Sequence, residues 1–102
     1  MLDFTDQVVI VTGSGSPKGM GRVMARTFAK QGAQLIIADI NMAGVQETVD
    51  IIKNEGGKAE GIKLDVTSKE SCEAMVDHIM KTYGRLDVLV NNAGISQHVT
   101  VA

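Results

Sequence analysis

The chain has 102 residues, of which 44% are apolar, so it is long enough to bury one hydrophobic core. Its 10 basic and 12 acidic residues are interspersed and give a formal charge of −2, which disfavours nucleic acid or an anionic membrane surface as a partner. One cysteine cannot form an internal disulfide, no apolar run approaches the roughly 18 to 20 residues that cross a bilayer, and the N-terminal residues lack the form of a secretion signal. We therefore expect one soluble, cytoplasmic domain over residues 1–102, without a nucleic-acid or membrane partner.

Apolar runs alternate with amphipathic stretches along the chain, a pattern typical of parallel βαβ units. The third amphipathic stretch opens with a Thr67-x-x-Glu70 capping box. Right-handed crossovers would arrange four strands in the order 3-2-1-4. The predicted fold class is therefore α/β, a Rossmann-like doubly wound parallel sheet with flanking helices. Strands are predicted at about residues 7–12, 34–39, 58–64 and 86–91, and helices at about 19–31, 42–55 and 67–84.

Helical spacing also predicts which side of each helix packs against the sheet. On such a face Cys72 is a core residue rather than a nucleophile. His78 and His98 have no neighbours in sequence that suggest a metal site or a catalytic triad, so both are expected at the surface. The expected inward residues are Met20, Val23, Met24, Thr27 and Phe28 in the first helix, Val45, Val49 and Ile52 in the second, and Cys72, Met75 or Val76, Ile79, Met80 and Tyr83 in the third.

A glycine-rich segment, TGSGSPKGMG at residues 12–21, joins the first strand to the first helix. Glycine lets the backbone turn tightly and approach a pyrophosphate closely, while the free N–H groups at the start of the helix face its negative charge. Pro17 lacks an N–H and is left out of the candidate site. The candidate phosphate-binding residues are Gly13, Ser16, Lys18, Gly19, Met20 and Gly21.

The ends of the other three strands carry residues suited to the rest of a dinucleotide. Asp39 and Ile40 follow the second strand, and a carboxylate there can accept hydrogen bonds from ribose hydroxyls. Asp65 and Val66 follow the third strand. Because the carboxyl ends of parallel strands share one edge of the sheet, these residues are expected to converge on one site. The fourth strand ends in the polar and small residues Asn91, Asn92, Ala93 and Gly94.

The glycine turn and the sequence LDVLVNNAG at residues 86–94 resemble the motifs of the classical short-chain dehydrogenases/reductases. The resemblance covers essentially the whole chain. It implies that Gly13, Gly19 and Gly21 shape a pyrophosphate turn, with Met20 where the family usually has isoleucine.

The same resemblance implies roles for the other strand ends. Asp39 would bind the adenine ribose, Asp65 and Val66 would flank the adenine, and residues 91–94 would line the nicotinamide-side ribose. The turn departs from the family pattern, because five residues separate its first two motif glycines where the family has three. The contacts of residues 14–18 therefore cannot be transferred from the family.

The charge at the ribose favours NAD as the cofactor over NADP. Asp39 can accept hydrogen bonds from two ribose hydroxyls but repels a 2′-phosphate, at a cost on the order of a few kcal/mol for like charges about 4 Å apart. Lys18 stands where relatives that prefer NADP often carry a basic residue, so neutralisation of a 2′-phosphate by Lys18 is the less favoured alternative.

Each of these features also has a purely structural interpretation. The glycine turn could be a plain connector from strand to helix, and Asp39 could be a solvated carboxylate at a strand end. Asp65 could simply precede the cap of the third helix, and Asn91 could be a structural bridge between strands. The agreement of four consecutive strand ends favours the cofactor site.

The family resemblance implies hydride transfer between a nicotinamide and an alcohol or carbonyl, with a tyrosine as general acid/base beside a lysine and a serine. Tyr83 is followed four positions on by Asp87 instead of lysine and precedes the fourth strand, so it is not that tyrosine. Residues 95–102 are expected to form a loop or the start of a helix. We therefore assign no catalytic and no metal-binding residue and leave the substrate open.

These observations predict the cofactor-binding half of an oxidoreductase, without turnover as the 102-residue chain. One alternative is a non-catalytic structural module with a vestigial nucleotide site, and another is a piece of a longer enzyme. An unpaired edge on the fourth strand would favour self-association into a homo-oligomer.

Overall fold

The computed structural model describes residues 4–13, 20–91 and 98–101, with residues 91 and 98–101 described by their main chain. Over these residues, strands and helices alternate as the hydrophobic pattern predicts, up to the fourth strand. The elements are β1 (Val8–Thr12), α1 (Met20–Lys30), β2 (Gln34–Asp39), α2 (Met42–Asn54), β3 (Lys58–Lys63), α3 (Lys69–Tyr83), β4 (Val88–Asn91) and β5 (His98–Val101).

The sheet has the order β3-β2-β1-β4-β5. β1 pairs in parallel with both β2 and β4, and β2 pairs in parallel with β3. The predicted order 3-2-1-4 and the Rossmann-like α/β class are therefore confirmed. The strand order reverses between β1 and β4, where open α/β sheets leave a crevice beyond the carboxyl ends of the strands.

β1 and β2 form the buried centre of the sheet. All five residues of β1 are buried, as are Leu35, Ile36, Ile37 and Ala38 of β2. Successive side chains of a strand point to opposite faces, so both faces of these two strands require a covering layer. Val9, Val11, Leu35 and Ile37 pack with Val45, Val49 and Ile52 of α2, whereas Val8, Ile10, Ile36 and Ala38 pack with Met75 and Ile79 of α3.

The buried face of α1 differs from the predicted one. Met20, Val23 and Thr27 are exposed, whereas Gly21, Arg22 and Ala25 are buried. Met24 and Phe28 pack at the edge of the core, as predicted. Small residues let a helix approach a sheet closely, and periodicity based on large apolar residues overlooks a face made of glycine, alanine and an arginine stem.

The predicted face and cap of α3 also need correction. Met75 and Ile79 are buried and Cys72 and Tyr83 are half-buried, but Val76 and Met80 are exposed. The N-cap is Ser68, whose hydroxyl accepts a hydrogen bond from the Ser71 N–H at 3.2 Å. Thr67 instead donates to Asp65, and the N-cap lies one residue after the Thr67 that the predicted capping box assigns to it.

The prediction of a loop or helix start for residues 95–102 is wrong for His98–Val101, which form β5. β5 pairs antiparallel with β4, with Asn91 opposite His98 and Val88 opposite Val101. β-branched residues at 99–101 favour an extended backbone, and the pairing satisfies main-chain groups on the outer side of β4. β3 and β5 are therefore the outer strands of the described sheet, and self-association stays a prediction without an unpaired β4 to support it.

Among the residues that the structure describes, no helix has the length and apolar content needed to cross a membrane.

Asp87 joins the beginnings of β4 and β1. Its Oδ2 accepts a hydrogen bond from the Val8 N–H at 2.8 Å, and its own N–H donates to the Val8 carbonyl at 3.0 Å. Arg85 donates to both carboxylate oxygens, from Nε at 2.8 Å and from Nη2 at 2.6 Å. The Arg85 hydrogen bonds, together with that from Val8, outweigh the effect of burial and lower the pKa of Asp87.

We predict that Asp87→Ala lowers the free energy of unfolding at pH 7 by about 2 kcal/mol, because charge-assisted hydrogen bonds at a strand junction are lost. The folded-state pKa of Asp87 is lowered, so this stabilisation is present above the unfolded value of 3.8 and is lost as the pH falls below it. Urea unfolding at several pH values measures both effects.

Asp77→Ala is the matched control, because Asp77 forms an exposed ion pair with Lys81 at 2.9 Å. It should change the free energy of unfolding by no more than about 0.5 kcal/mol. Equal effects of the two substitutions at pH 7 would contradict the role of Asp87.

Candidate cofactor site

The carboxyl ends of the four parallel strands lie along one edge of the sheet. The register places Thr12 opposite both Ala38 and Asn91, and Asp39 opposite Lys63. The candidate residues that follow these strands are therefore brought to the same edge. Of the predicted site, the structure describes Gly13, Met20, Gly21, Asp39, Ile40, Asp65, Val66 and the main chain of Asn91, whereas Ser16, Lys18, Gly19, Asn92, Ala93 and Gly94 lie outside the described residues.

At the end of β1 the chain turns sharply at Gly13. Its φ of 69° lies in the left-handed region, which glycine adopts without steric strain. The Gly13 N–H donates to the carbonyl of Ala38 at 3.1 Å, so the first residue of the turn is hydrogen-bonded to β2. The Thr12 hydroxyl donates to the Val90 carbonyl at 3.4 Å, which links β1 to β4 beside the point where the strand order reverses.

The Asp39 carboxylate is held at the start of α2. Asp39 is half-buried, and its Oδ1 accepts a hydrogen bond from the Asn41 N–H at 3.2 Å. The Asn41 side chain caps α2 by accepting from the Gly44 N–H at 3.2 Å. The Asp39 carbonyl accepts from the Leu64 N–H at 2.9 Å, which fixes the ends of β2 and β3 relative to each other.

Asp65 is committed to the local structure that starts α3. Its Oδ1 accepts hydrogen bonds from the Thr67 N–H at 2.9 Å and from the Thr67 hydroxyl at 2.6 Å. The Asp65 N–H donates to the Ser71 hydroxyl at 3.1 Å. The hydroxyl bond from Thr67, followed by its main-chain bond, lowers the pKa of Asp65, so this carboxylate is ionised near neutral pH. The structural interpretation of Asp65 therefore has direct geometric support.

Apolar side chains are exposed along the same edge. Met20 is 55% exposed, Ile40 is 59% exposed and Val66 is 51% exposed. Met42 in the first turn of α2 is also exposed and was not among the predicted site residues. A flat aromatic ring could cover these side chains and remove them from water. The signal for Met42 was its position three residues after the strand-end aspartate, just past the helix cap.

Tyr83 lies away from this edge, in a cluster on α3 and β3. Its hydroxyl donates to Oε1 of Glu60 at 2.6 Å, and Nε2 of His78 lies 2.8 Å from Oε2 of the same carboxylate. Burial, then the hydrogen bond to Glu60, raise the pKa of Tyr83 to about 12. The neutral phenol is thus stabilised, which is the opposite of what a general acid/base beside a lysine requires. His78 is exposed, as predicted, but it has a carboxylate partner that its sequence neighbours did not indicate.

Among the side chains that the structure describes, in residues 4–13 and 20–90, no three from histidine, cysteine, aspartate or glutamate converge as a metal site would require.

Residues 7–102 match the family model of the short chain dehydrogenases. YxbG of Bacillus subtilis (strain 168), described as an uncharacterized oxidoreductase, is 41% identical over 92 residues, which are 90% of this chain and 33% of that protein. The chain therefore belongs to the short-chain dehydrogenase family.

Two solved structures of the family have the same fold. A metagenomic short-chain oxidoreductase in complex with NADP superimposes with a TM-score of 0.85 at 30% identity, covering 90% of this chain and 41% of that one. A short chain dehydrogenase/reductase from Burkholderia phymatum in complex with NAD gives a TM-score of 0.79 at 30% identity, covering 87% of this chain and 31% of that one. The chain thus spans only about 30 to 40% of the length of these relatives.

We predict that Tyr83→Phe raises the pKa of Glu60. Burial favours the neutral acid, but the hydrogen bonds from Tyr83 and His78 outweigh it and hold the pKa of Glu60 below 4.5. Without the phenol hydroxyl the pKa should move back toward or above that value. A pH titration of the Glu60 carboxyl by NMR measures the change.

The lowered pKa also sets the sign of the effect on stability. The hydrogen-bonded Glu60 carboxylate contributes to the free energy of unfolding above the unfolded pKa, and this contribution is lost as the pH falls through the lower folded pKa. Tyr83→Phe should therefore destabilise the fold more at pH 7 than at pH 3. Thr82→Ala, at an exposed neighbour, should leave the Glu60 titration unchanged. An unchanged Glu60 pKa in Tyr83→Phe would refute this account of the cluster.

Proposed function

We propose that residues 1–102 form the dinucleotide-binding part of an oxidoreductase that transfers hydride between a nicotinamide cofactor and an alcohol or carbonyl group. The observation that carries this proposal is the pairing of the Gly13 turn with the Asp39 carboxylate across β1 and β2, through the hydrogen bond from Gly13 N–H to the Ala38 carbonyl. This hydrogen bond brings the proposed phosphate-binding turn beside the proposed acceptor of ribose hydroxyls. Family membership over residues 7–102 supports the same chemistry.

The positions of Gly13, Asp39, Ile40 and Val66 at neighbouring strand ends support a site for the adenosine half and the pyrophosphate of such a cofactor. The pyrophosphate would lie over the segment that joins β1 to α1, where the proposed binding residues are Gly13, Ser16, Lys18, Gly19, Met20 and Gly21. The ribose hydroxyls would donate to Asp39.

The exposed side chains of Ile40 and Val66 would flank the adenine ring. Asp65 would contribute through Oδ2, the carboxylate oxygen that Thr67 does not occupy. Asn91, Asn92, Ala93 and Gly94 would line the ribose on the nicotinamide side, beyond β4.

The cofactor, when bound, supplies the hydride donor or acceptor. The proposed task of this chain is to bind and orient the cofactor. The N-terminus of α1 would attract the negative pyrophosphate. The strand order reverses between β1 and β4, and the nicotinamide side would lie beyond these two strands. Tyr83 is paired with Glu60, remote from that junction in the fold. We therefore propose that the 102 residues bind cofactor without turning substrate over.

NAD is the proposed cofactor. Asp39 ends β2 where a 2′-phosphate would meet a like charge, and Ile40 next to it is apolar and offers no counter-charge. The family includes complexes with NAD and with NADP, so the preference rests on these two residues of the chain.

We also propose a cytoplasmic location for the protein. The sequence has a single cysteine, so it has no internal disulfide framework, and its basic and acidic residues are interspersed.

We predict saturable binding of NADH to the 102-residue chain, followed by the fluorescence of NADH. Asp39→Ala should weaken that binding about tenfold or more, because hydrogen bonds from ribose hydroxyls to a charged acceptor are lost. The same substitution removes the like charge that opposes a 2′-phosphate, so the preference for NADH over NADPH should fall.

Asp50→Ala removes one carboxylate from the exposed side of α2 and is the matched control for net charge. It should leave both affinities unchanged. A folded chain that binds neither dinucleotide would overturn the proposal and favour a non-catalytic structural module. Equal weakening by Asp39→Ala and Asp50→Ala would remove Asp39 from the site.

A further inference from the structure

Arg22 is a buried cation in the first turn of α1, immediately after the glycine turn. The residue is 7% exposed. Its Nε donates to the Thr48 hydroxyl at 2.9 Å, and its Nη1 donates to Oε1 of Glu47 at 2.7 Å. Both partners belong to α2, so a single side chain joins the helix that follows β1 to the helix that follows β2.

The arrangement is a poor one for stability alone. Nη2 of Arg22 is buried and has no hydrogen-bond partner among the described residues, and an unsatisfied buried donor opposes folding. Glu47 is 59% exposed, so water weakens the ion pair. α1 and α2 are also already joined by Arg26, which donates to both oxygens of Glu55 at 3.0 and 2.6 Å.

The two helices that Arg22 joins carry the two proposed binding groups of the adenosine half. The start of α1 would face the pyrophosphate, and α2 is capped by Asn41, whose N–H donates to the Asp39 carboxylate. In a dinucleotide the distance from ribose to pyrophosphate is fixed by covalent bonds. Binding both at once therefore requires a fixed separation between the two helix starts.

We infer that Arg22 is a positioning residue for dinucleotide binding, which sets the separation of α1 and α2 through Thr48 and Glu47. This inference rests on the proposed function. Arg22 acts through the helices and is not assigned a contact with the cofactor.

The test compares Arg22→Met with Arg26→Met in the 102-residue chain. Methionine keeps much of the apolar stem of either arginine and removes its donors. Thr48 has a further partner besides Arg22, and Glu47 is largely hydrated, so Arg22→Met is expected to leave the thermal midpoint unchanged or raise it. It should nevertheless weaken NADH binding by about tenfold, the size expected when a residue that supports a binding group is lost.

Arg26→Met removes a pair at the far end of the same helix interface and should leave the NADH affinity unchanged. Arg22→Lys keeps a cation but cannot donate to Thr48 and Glu47 with the geometry of a guanidinium. It should therefore recover only part of the affinity that Arg22→Met loses. Each variant is measured by NADH fluorescence titration and by thermal unfolding followed by circular dichroism.

The outcomes separate this inference from the proposed function. A wild-type chain that does not bind NADH overturns both. A wild-type chain that binds, with Arg22→Met binding equally well, overturns only the role of Arg22. An Arg22→Met chain that unfolds, or that loses affinity only as far as its stability falls, shows that Arg22 is structural and also overturns the inference.

Discussion

The parallel pairing of β1 with both β2 and β4 is the constraint on which the rest of the structure depends. Because β1 and β2 are buried on both faces, they cannot place functional polar groups along their length without leaving them unsatisfied. The polar residues of these two strands therefore lie at the strand ends, as Thr12, Gln34 and Asp39 do. Parallel direction then brings those ends to one edge, and the hydrogen bond from Gly13 to Ala38 joins the first two of them directly.

Much of this could be read from the sequence, because continuous apolar runs and strand-end residues are local signals. The runs at Val8–Thr12 and Gln34–Asp39 predicted the central strands, and the inward residues Val45, Val49 and Ile52 of α2 were predicted correctly. The buried face of α1 was not, because the residues buried there, Gly21, Arg22 and Ala25, are small or charged and give no large apolar periodicity. β5 was missed because the short segment at His98–Val101 becomes a strand only by pairing with β4.

The candidate site shows the same division between local and tertiary information. Asp39 at the end of β2 was predictable from its position, whereas Arg22 was not, since its partners Thr48 and Glu47 are distant in sequence. Asp65 was predicted as a cofactor residue, and the structure adds that Thr67 already occupies one of its oxygens. The Asp65 carboxylate can still border a ligand, but its hydrogen bonds from Thr67 stabilise the turn that leads into α3.

We propose that the strand ends of β1, β2, β3 and β4 form one dinucleotide site. A crystal structure of the 102-residue chain grown with NADH would test this proposal. We expect the pyrophosphate over the turn that begins at Gly13, with an adenine-ribose hydroxyl within hydrogen-bond distance of the Asp39 carboxylate. NADH bound on another face of the sheet, or bound at this edge without contact to Asp39, would contradict it.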